Sequence, residues 1–282
     1  MLELGIENIQ LDTADSSWIS DLQQINPCYV FIALHGGDGE NGAVQGVLDS
    51  LGLEYSGSGV AGSAIAMNKH LAKAIWQQHG LPTLPSILIS TLDDKTLAVI
   101  KENFTAPYCM KVIDQGSSIG VRKVNSFTDL NSTYNELSKI SNSIMLEQWV
   151  EGREFFVGIL QQQALPAVEV VTSRDFYDYV AKYNSNDTQY ICPCDLTPQQ
   201  QERLSCIAKQ AFESIQCSHW GRIDFIADKN MNFYLIEANT IPGMSTKSLF
   251  PMAASQLGYS FTDLILAILP KEIRALAKVR VP

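Results

Sequence analysis

Arg222 and Asp224 stand two residues apart in "GRIDF", and Glu237 and Asn239 stand two apart in "IEANT". Residues two apart on a β-strand share a face. Each pair therefore projects together, with Ile223 and Phe225 opposite the first pair and Ile236 and Ala238 opposite the second. "DKNMN" between them is a turn that closes a hairpin. The two strands can then bring one guanidinium, two carboxylates and one amide oxygen onto a single patch. Hard oxygen donors of this kind suit Mg²⁺, which takes one or two carboxylates and fills its shell from water and phosphate. Arg222 would stabilise the negative charge on a transferring phosphoryl group. The plainer reading is a solvated hairpin face with ordinary surface ion pairs. The four groups together, followed by "TIPGM", favour metal and phosphate chemistry.

Such a patch needs cationic partners. Lys111 lies in the otherwise mostly apolar "YCMKVI", and a lysine there requires an anion because an unpaired buried ammonium is costly. "GSSIG" at 116–120 offers backbone N–H groups and two hydroxyls suited to phosphate oxygens; a simple hairpin turn is the alternative. Lys69, opening a helix, adds positive charge. In "MLEQWVEGRE" the Glu147 side chain and nearby backbone can face an adenine edge, and Glu154 can hold ribose hydroxyls. Alone, that stretch is only a polar strand end.

The elements that must position these groups can be read from hydrophobic pattern. "YVFIAL" (29–34) has the composition of a strand buried on both faces. "HGGDGENG" (35–42) follows it at the carboxyl end, where ligands of βα domains gather. Val44, Val47, Leu48 and Leu51 recur at helical spacing, with Gly52 as the stop. In "NKHLAKAIWQQHG" the helical period runs through Leu71, Ala74, Ile75 and Gln78 and ends at Gly80 and Pro82. "SILIS", "YCMKVI" and "SIMLEQWV" are strands, with a helix in "SFTDLNSTYNELSKI". Two strands flank a polar turn in "GREFFVGILQQQALPAVEVV". The tyrosine-rich stretch from Ser173 to about Gln200 has no lasting period, and its aromatic content suits a loop that packs down on something. A helix over about 199–217 leads to the hairpin.

Bulk properties narrow the partners. The 282 residues carry a formal charge of −10, with a pI near 4.8. That disfavours non-specific nucleic-acid binding, which rests on Lys and Arg neutralising phosphates. The start lacks the basic and apolar regions of a secretory signal. No apolar run approaches the roughly 18 residues a membrane span needs. The six cysteines include "CPC" at 192–194 but no second pair at zinc spacing, which reads as buried or loop thiols in a reducing cytosol.

These pieces, in this order, resemble the ATP-grasp ligases and, within them, the D-alanine–D-alanine ligases. The likeness runs from about Phe31 to Leu269. It is carried by "HGGDGENGAVQG", "GSGVAGSAIAMNK", "QGSSIGV", "EQWVEGREF", "FYDYVAKY", "GRIDF", "EANTIPGMSTKSL" and "PMAA". The fold it implies is α/β (α+β): a three-domain ATP-grasp ligase with an N-terminal parallel-sheet domain at 1–57, a central subdomain at 58–151 and a catalytic domain at 152–282. An omega loop over 176–196 would close on the substrates.

The resemblance implies that Lys69, Lys111, Ser118 and Lys182 contact ATP phosphates, and that Glu147, Gln148, Val150 and Glu154 hold adenine and ribose. Asp224, Glu237 and Asn239 would hold two Mg²⁺ ions, or Mn²⁺ in their place. Arg222 would stabilise the tetrahedral intermediate, and Ser117 with Tyr183 would position the reacting amine. His35 would orient the first substrate's surroundings, while Ser248 and Leu249 would bind the second D-alanine. Tyr183 lies in the family's Tyr-Asp-Tyr-x-Ala-Lys-Tyr pattern, which implies an amine rather than a hydroxyl as second nucleophile. A cytoplasmic homodimer, contacting neither membrane nor nucleic acid, is also implied.

The chain departs from the pattern at Asn41 and Asn68, each in place of an acid, at Val112 in place of proline, and at Gln115 in place of an acid. None of these removes an expected metal ligand. The family opens with a strand, a Gly-Gly-x-Ser-x-Glu-Arg-x-Val-Ser loop and a helix before its second strand. "LELGIENIQLDTAD" aligns with that second strand, so the first domain is expected to be incomplete. Two other readings stay in view: a ligase joining other carboxylates and amines, and a nucleotide-binding relative with little or no activity.

Overall fold

The computed structural model describes residues 4–116, 119–172 and 188–277. The chain opens with α1 (Trp18–Ile25), a 3-10 turn at Gly37–Gly39, α2 (Ala43–Ser50), α3 (Val60–Met67) and α4 (Lys69–Gln78). β1 (Ser86–Ile89), α5 (Asp94–Asn103), β2 (Tyr108–Val112), β3 (Val121–Val124), α6 (Leu130–Leu137) and β4 (Ile144–Gln148) follow. Next come β5 (Arg153–Leu160), β6 (Gln163–Ala164), β7 (Val168–Val171), β8 (Gln189–Ile191) and α7 (Pro198–Ser214). β9 (Trp220–Ala227), β10 (Phe233–Asn239), α8 (Leu249–Ser255), α9 (Phe261–Ile268) and α10 (Lys271–Arg274) complete the order.

The strands form two sheets, one of four strands in the order β1-β4-β2-β3 and one of six in the order β10-β9-β5-β7-β8, with β6 beside β5. Every ladder is antiparallel. The larger sheet is covered on both faces, and β5 shows why its sequence is a nearly continuous apolar run. Phe155, Val157 and Ile159 point into one core with Trp76 of α4 and Phe212 of α7. Phe156 and Leu160 point into the other core with Trp220 and Phe250. Each fully buried large side chain of this kind contributes about 2–3 kcal/mol. A Cβ on Gly158 would lie 2.8–2.9 Å from Leu165 and Phe250, so only glycine lets α8 approach here. The smaller sheet packs α5 and α6 through Ile100, Met110, Leu130 and Leu146.

Helix ends follow local chemistry. Thr197 and Gln200 cap each other's backbone at the start of α7, with proline in its first turn. Asn68 caps α4 by accepting from the Leu71 N–H at 3.0 Å, so the amide in place of an acid keeps the capping function.

Three expectations fail. The described part of "LELGIENIQLDTAD", residues 4–15, forms no strand, so the parallel sheet expected in 1–57 is reduced to a single isolated bridge. "YVFIAL" forms no ladder: its pairing is one parallel bridge, Val30 to Tyr55, backed by hydrogen bonds from Val30 N–H to Glu54 and from Ser56 N–H to Val30. Apolar composition fitted a strand, but too short a stretch of partner backbone lies beside it. In α4 the buried face is Lys69, Ala72, Lys73 and Trp76, while Leu71 is 47% exposed. The apolar period picked the wrong side because two lysines occupy the inner one.

Candidate functional site

The β9–β10 register sets Arg222 opposite Asn239 and Asp224 opposite Glu237. The four groups are thus neighbours both along and across the strands. Arg222 donates from Nε to Asp224 Oδ1 at 2.6 Å and from Nη2 to Oδ2 at 2.8 Å, a two-point fork. Its guanidinium lies 5.1 Å from the Phe156 ring centre. With its amide oriented to satisfy both neighbours, Asn239 accepts from Arg222 Nη2 at 2.8 Å and donates to Glu40 Oε1 at 3.2 Å.

The register slips between Leu235 and Glu237, leaving Ile236 as the extra residue of a bulge. Ile236 was expected on the face opposite Glu237, together with Ala238. The bulge turns it into a cavity wall beside Glu237, while Ala238 stays in the core.

The glycine loop supplies the next layer. Gly36 and Gly37 have φ of 79° and 52°, which suits residues without a Cβ. The resulting turn buries Glu40, whose Oε2 accepts the Gly36 N–H at 2.9 Å. Glu40 Oε1 lies 3.5 Å from His35 Nδ1, and the Ile241 carbonyl lies 3.1 Å from the same nitrogen. Two acceptors facing Nδ1 place the proton there. The hydrogen bond to Glu40 raises the His35 pKa above its ordinary value, against a lowering by burial.

The lysines come from other elements. Lys69, first residue of α4, donates to the Gln115 carbonyl at 2.6 Å and sits 3.3 Å from Glu237 Oε2. Lys111 of β2 reaches Glu147 Oε2 of β4 at 2.6 Å. Lys73, one turn beyond Lys69, meets the other oxygen, Oε1, and donates to the Leu235 carbonyl at 2.9 Å. Burial opposes charge on all three members. For Glu147 the two lysines more than offset it, so its pKa falls below the ordinary carboxylate value. Lys111 is likewise held above the ordinary lysine value by Glu147, whereas burial dominates at Lys73 and lowers it.

Two cavities meet at this framework. One of about 610 Å³ is bordered by His35, Glu40, Arg222, Asn239, Ser248 and Leu249. The other, about 330 Å³, is bordered by Lys111, Glu147, Gln148, Val150, Glu154 and Asp224. Lys69 and Glu237 border both. An anion in the smaller cavity therefore ends beside a molecule in the larger.

Placement sharpens several sequence readings. Both Glu147 oxygens face lysines, and β4 ends at Gln148. Trp149 and Val150, just beyond the end of β4, border the smaller cavity. Gln148 turns its amide towards Thr105 and Pro107, donating to the Thr105 carbonyl at 2.9 Å. Ser248 accepts the Ser245 N–H at 3.0 Å, and Leu249 opens α8. Ser117, Ser118, Lys182 and Tyr183 lie outside the described residues. Tyr190, in the described end of the expected omega loop, borders the larger cavity. Lys73 escaped the sequence reading; its signal was the spacing Lys69, Lys73, Trp76 on one helical face.

The donor set fits magnesium. Among the described residues no cluster of three or more His, Cys, Asp or Glu is placed to hold a metal ion. Two carboxylates and an amide oxygen leave most of a shell to phosphate and water, as Mg²⁺ prefers.

Two antiparallel sheets flanking a cavity, with lysines on one side and an Arg/Asp/Glu/Asn hairpin on the other, are the architecture of an ATP-grasp ligase. Residues 75–270 match the family described as D-ala D-ala ligase C-terminus. A D-alanine–D-alanine ligase of Hydrogenovibrio crunogenus (strain DSM 25203 / XCL-2) is 41% identical over 268 residues, covering 94% of this chain and 85% of that protein. A crystal structure of D-alanine–D-alanine ligase from Bacillus anthracis complexed with ATP superposes with a TM-score of 0.77 at 26% identity, over 92% of this chain and 84% of that one. The D-Ala:D-Ser ligase VanG of Enterococcus faecalis shares the fold, with a TM-score of 0.79 at 24% identity over 86% of this chain and 71% of that one. The chain belongs to the D-alanine–D-alanine ligase family.

Proposed function

We propose that this chain joins two D-alanines to D-alanyl-D-alanine, with ATP as phosphoryl donor, as a step towards peptidoglycan precursors. The observation that carries the reading is the shared wall. Lys69 and Glu237 border both cavities, so a γ-phosphoryl group in one meets a carboxylate in the other.

ATP lies in the smaller cavity, its base beside Trp149 and Val150, its ribose at Glu154 and its phosphates towards Lys111 and Lys69. Asp224, Glu237 and Asn239 would hold two Mg²⁺ ions, which supply charge neutralisation to the phosphoryl oxygens. The first D-alanine occupies the larger cavity near His35 and Glu40, and its carboxylate attacks the γ-phosphoryl group to give an acyl phosphate and ADP. The second D-alanine, held at Ser248 and Leu249, attacks the acyl carbon with its free amine. Arg222, fixed by Asp224 and Asn239, stabilises the oxyanion of that tetrahedral intermediate before inorganic phosphate leaves. Most of the acceleration comes from positioning and charge stabilisation. Ser117 and Tyr183 are assigned to positioning the amine, and Ser118 and Lys182 to the phosphates. The chain works as a homodimer in the cytoplasm on this reading. No helix among the described residues is long and apolar enough to cross a membrane.

Phosphate release measured against ATP and D-alanine tests the reading. Release requiring both substrates, with D-alanyl-D-alanine formed in equal amount, is the expected result. Nucleotide binding without release at any D-alanine concentration would overturn it.

A further inference from the structure

Lys73 borders neither cavity, yet it is an ammonium whose side chain is only 1% exposed. A buried ammonium is kept only where its partners repay desolvation. Its partners belong to different sheets: Glu147 to β4 of the smaller and the Leu235 carbonyl to β10 of the larger. Glu147 is in turn the partner of Lys111, at the edge of the smaller cavity. One carboxylate is thereby divided between two ammonium groups.

The division has a consequence for charge. Two lysines against one glutamate leave the cluster with one net positive charge. Lys73 is sealed in the core, so the surplus is expressed at Lys111, the lysine of the two that borders the cavity. Without Lys73, Glu147 would neutralise Lys111 alone and draw it from the cavity. The bond to Leu235 also ties the strand carrying Glu147 to the strand that leads into Glu237.

We propose that Lys73 is a positioning residue for the nucleotide: by sharing Glu147 it leaves Lys111 free to bind phosphate. The inference rests on the reading of Lys111 as a phosphate ligand.

Steady-state kinetics with ATP and D-alanine varied in turn, on the full chain, provide the test. Lys73→Met keeps the volume and removes the charge. It is expected to raise the KM for ATP about tenfold, the worth of one charge-assisted hydrogen bond, with the KM for D-alanine unmoved. Adding Glu147→Gln restores the net positive charge and is expected to return the KM for ATP to within about threefold of the parent. A general packing defect would not be rescued by a second substitution in the same buried cluster. Should Lys73→Met alone fail to fold, the double variant still decides, because it removes the buried pair as a unit. A tenfold higher KM for ATP in that variant overturns the proposal. Lys111→Met separates the layers. If it raises the KM for ATP and Lys73→Met does not, the role of Lys73 falls alone; if Lys111→Met has no effect, the phosphate role beneath it falls.

Discussion

Replacing Arg222 by lysine keeps the charge and removes the fork. The guanidinium makes three short bonds, two to Asp224 at 2.6 and 2.8 Å and one to Asn239 at 2.8 Å. A lysine ammonium on a flexible stem can keep one of them. Two lost charge-assisted bonds at about 1.5 kcal/mol each come to about 3 kcal/mol of positioning. If that precision is used on the oxyanion of the tetrahedral intermediate, kcat falls about 100-fold. The loss matches what removing one preorganised oxyanion donor costs elsewhere. The KM for ATP is expected to change little, since Arg222 borders the larger cavity and not the smaller. A coupled phosphate-release assay gives both constants, and a thermal melt on the same samples shows whether the variant is folded. A folded Arg222→Lys enzyme with kcat within about threefold of the parent refutes the role, because three geometric bonds would then contribute nothing to the transition state.

Removing divalent metal with EDTA is expected to abolish phosphate release, restored by Mg²⁺, while leaving the melting temperature of the ligand-free chain unchanged. Asp224 and Glu237 already have Arg222 and Lys69 as partners, so a drop in melting temperature with EDTA would contradict that pairing. His35 should titrate above its ordinary 6.5, so its contribution to stability is complete below that value and lost as pH rises through the folded pKa. NMR titration should show Glu40→Gln returning the value towards normal, and no movement would sink the assignment. Trp76 is fully buried and donates from Nε1 to the Ala211 carbonyl at 2.9 Å. Trp76→Phe should cost about 1–2 kcal/mol in denaturant unfolding and Trp76→Ala about 3–5 kcal/mol; near-neutral values would show that this core is not packed as described.

The hairpin was legible because its information is local: period-two alternation placed Arg222 with Asp224 and Glu237 with Asn239 before any fold was known. The bulge at Ile236 was not, since a register slip depends on the partner strand and leaves no mark in the alternation. Helix α2 and its Gly52 stop followed from spacing and backbone chemistry alone. "YVFIAL" misled because apolar composition reports burial, while a ladder needs a neighbour of matching length. The inner face of α4 misled for a related reason. Hydropathy counts lysine as a surface residue, but Lys73 is buried by a glutamate 74 positions away in the chain. Pairing between distant charges is what a single sequence hides. Motif resemblance, not periodicity, carried the roles of Val150, Ser248 and Leu249, whose types alone say nothing of a ligand.

The ion pairs themselves argue for how such a site can take a polyphosphate. Arg222 holds Asp224, Lys69 holds Glu237, and Lys73 with Lys111 holds Glu147. Each buried cation therefore has an internal carboxylate, which lets a charged site fold without isolated charges. On the proposed reading, phosphate oxygens arriving at Lys69 and Lys111 would compete with those carboxylates for the same donors. Glu237 would lose its ion pair with Lys69, and a cation arriving with the phosphate would restore the balance of charge. A divalent ion bound to the nucleotide supplies that cation and suits the oxygen set that Glu237 shares with Asp224 and Asn239. Glu147 would need no such replacement, because Lys73 would remain with it if Lys111 turned to phosphate. On that reading the exchangeable carboxylates would lie on the hairpin and the fixed one would be Glu147, and the second lysine on Glu147 would make that difference.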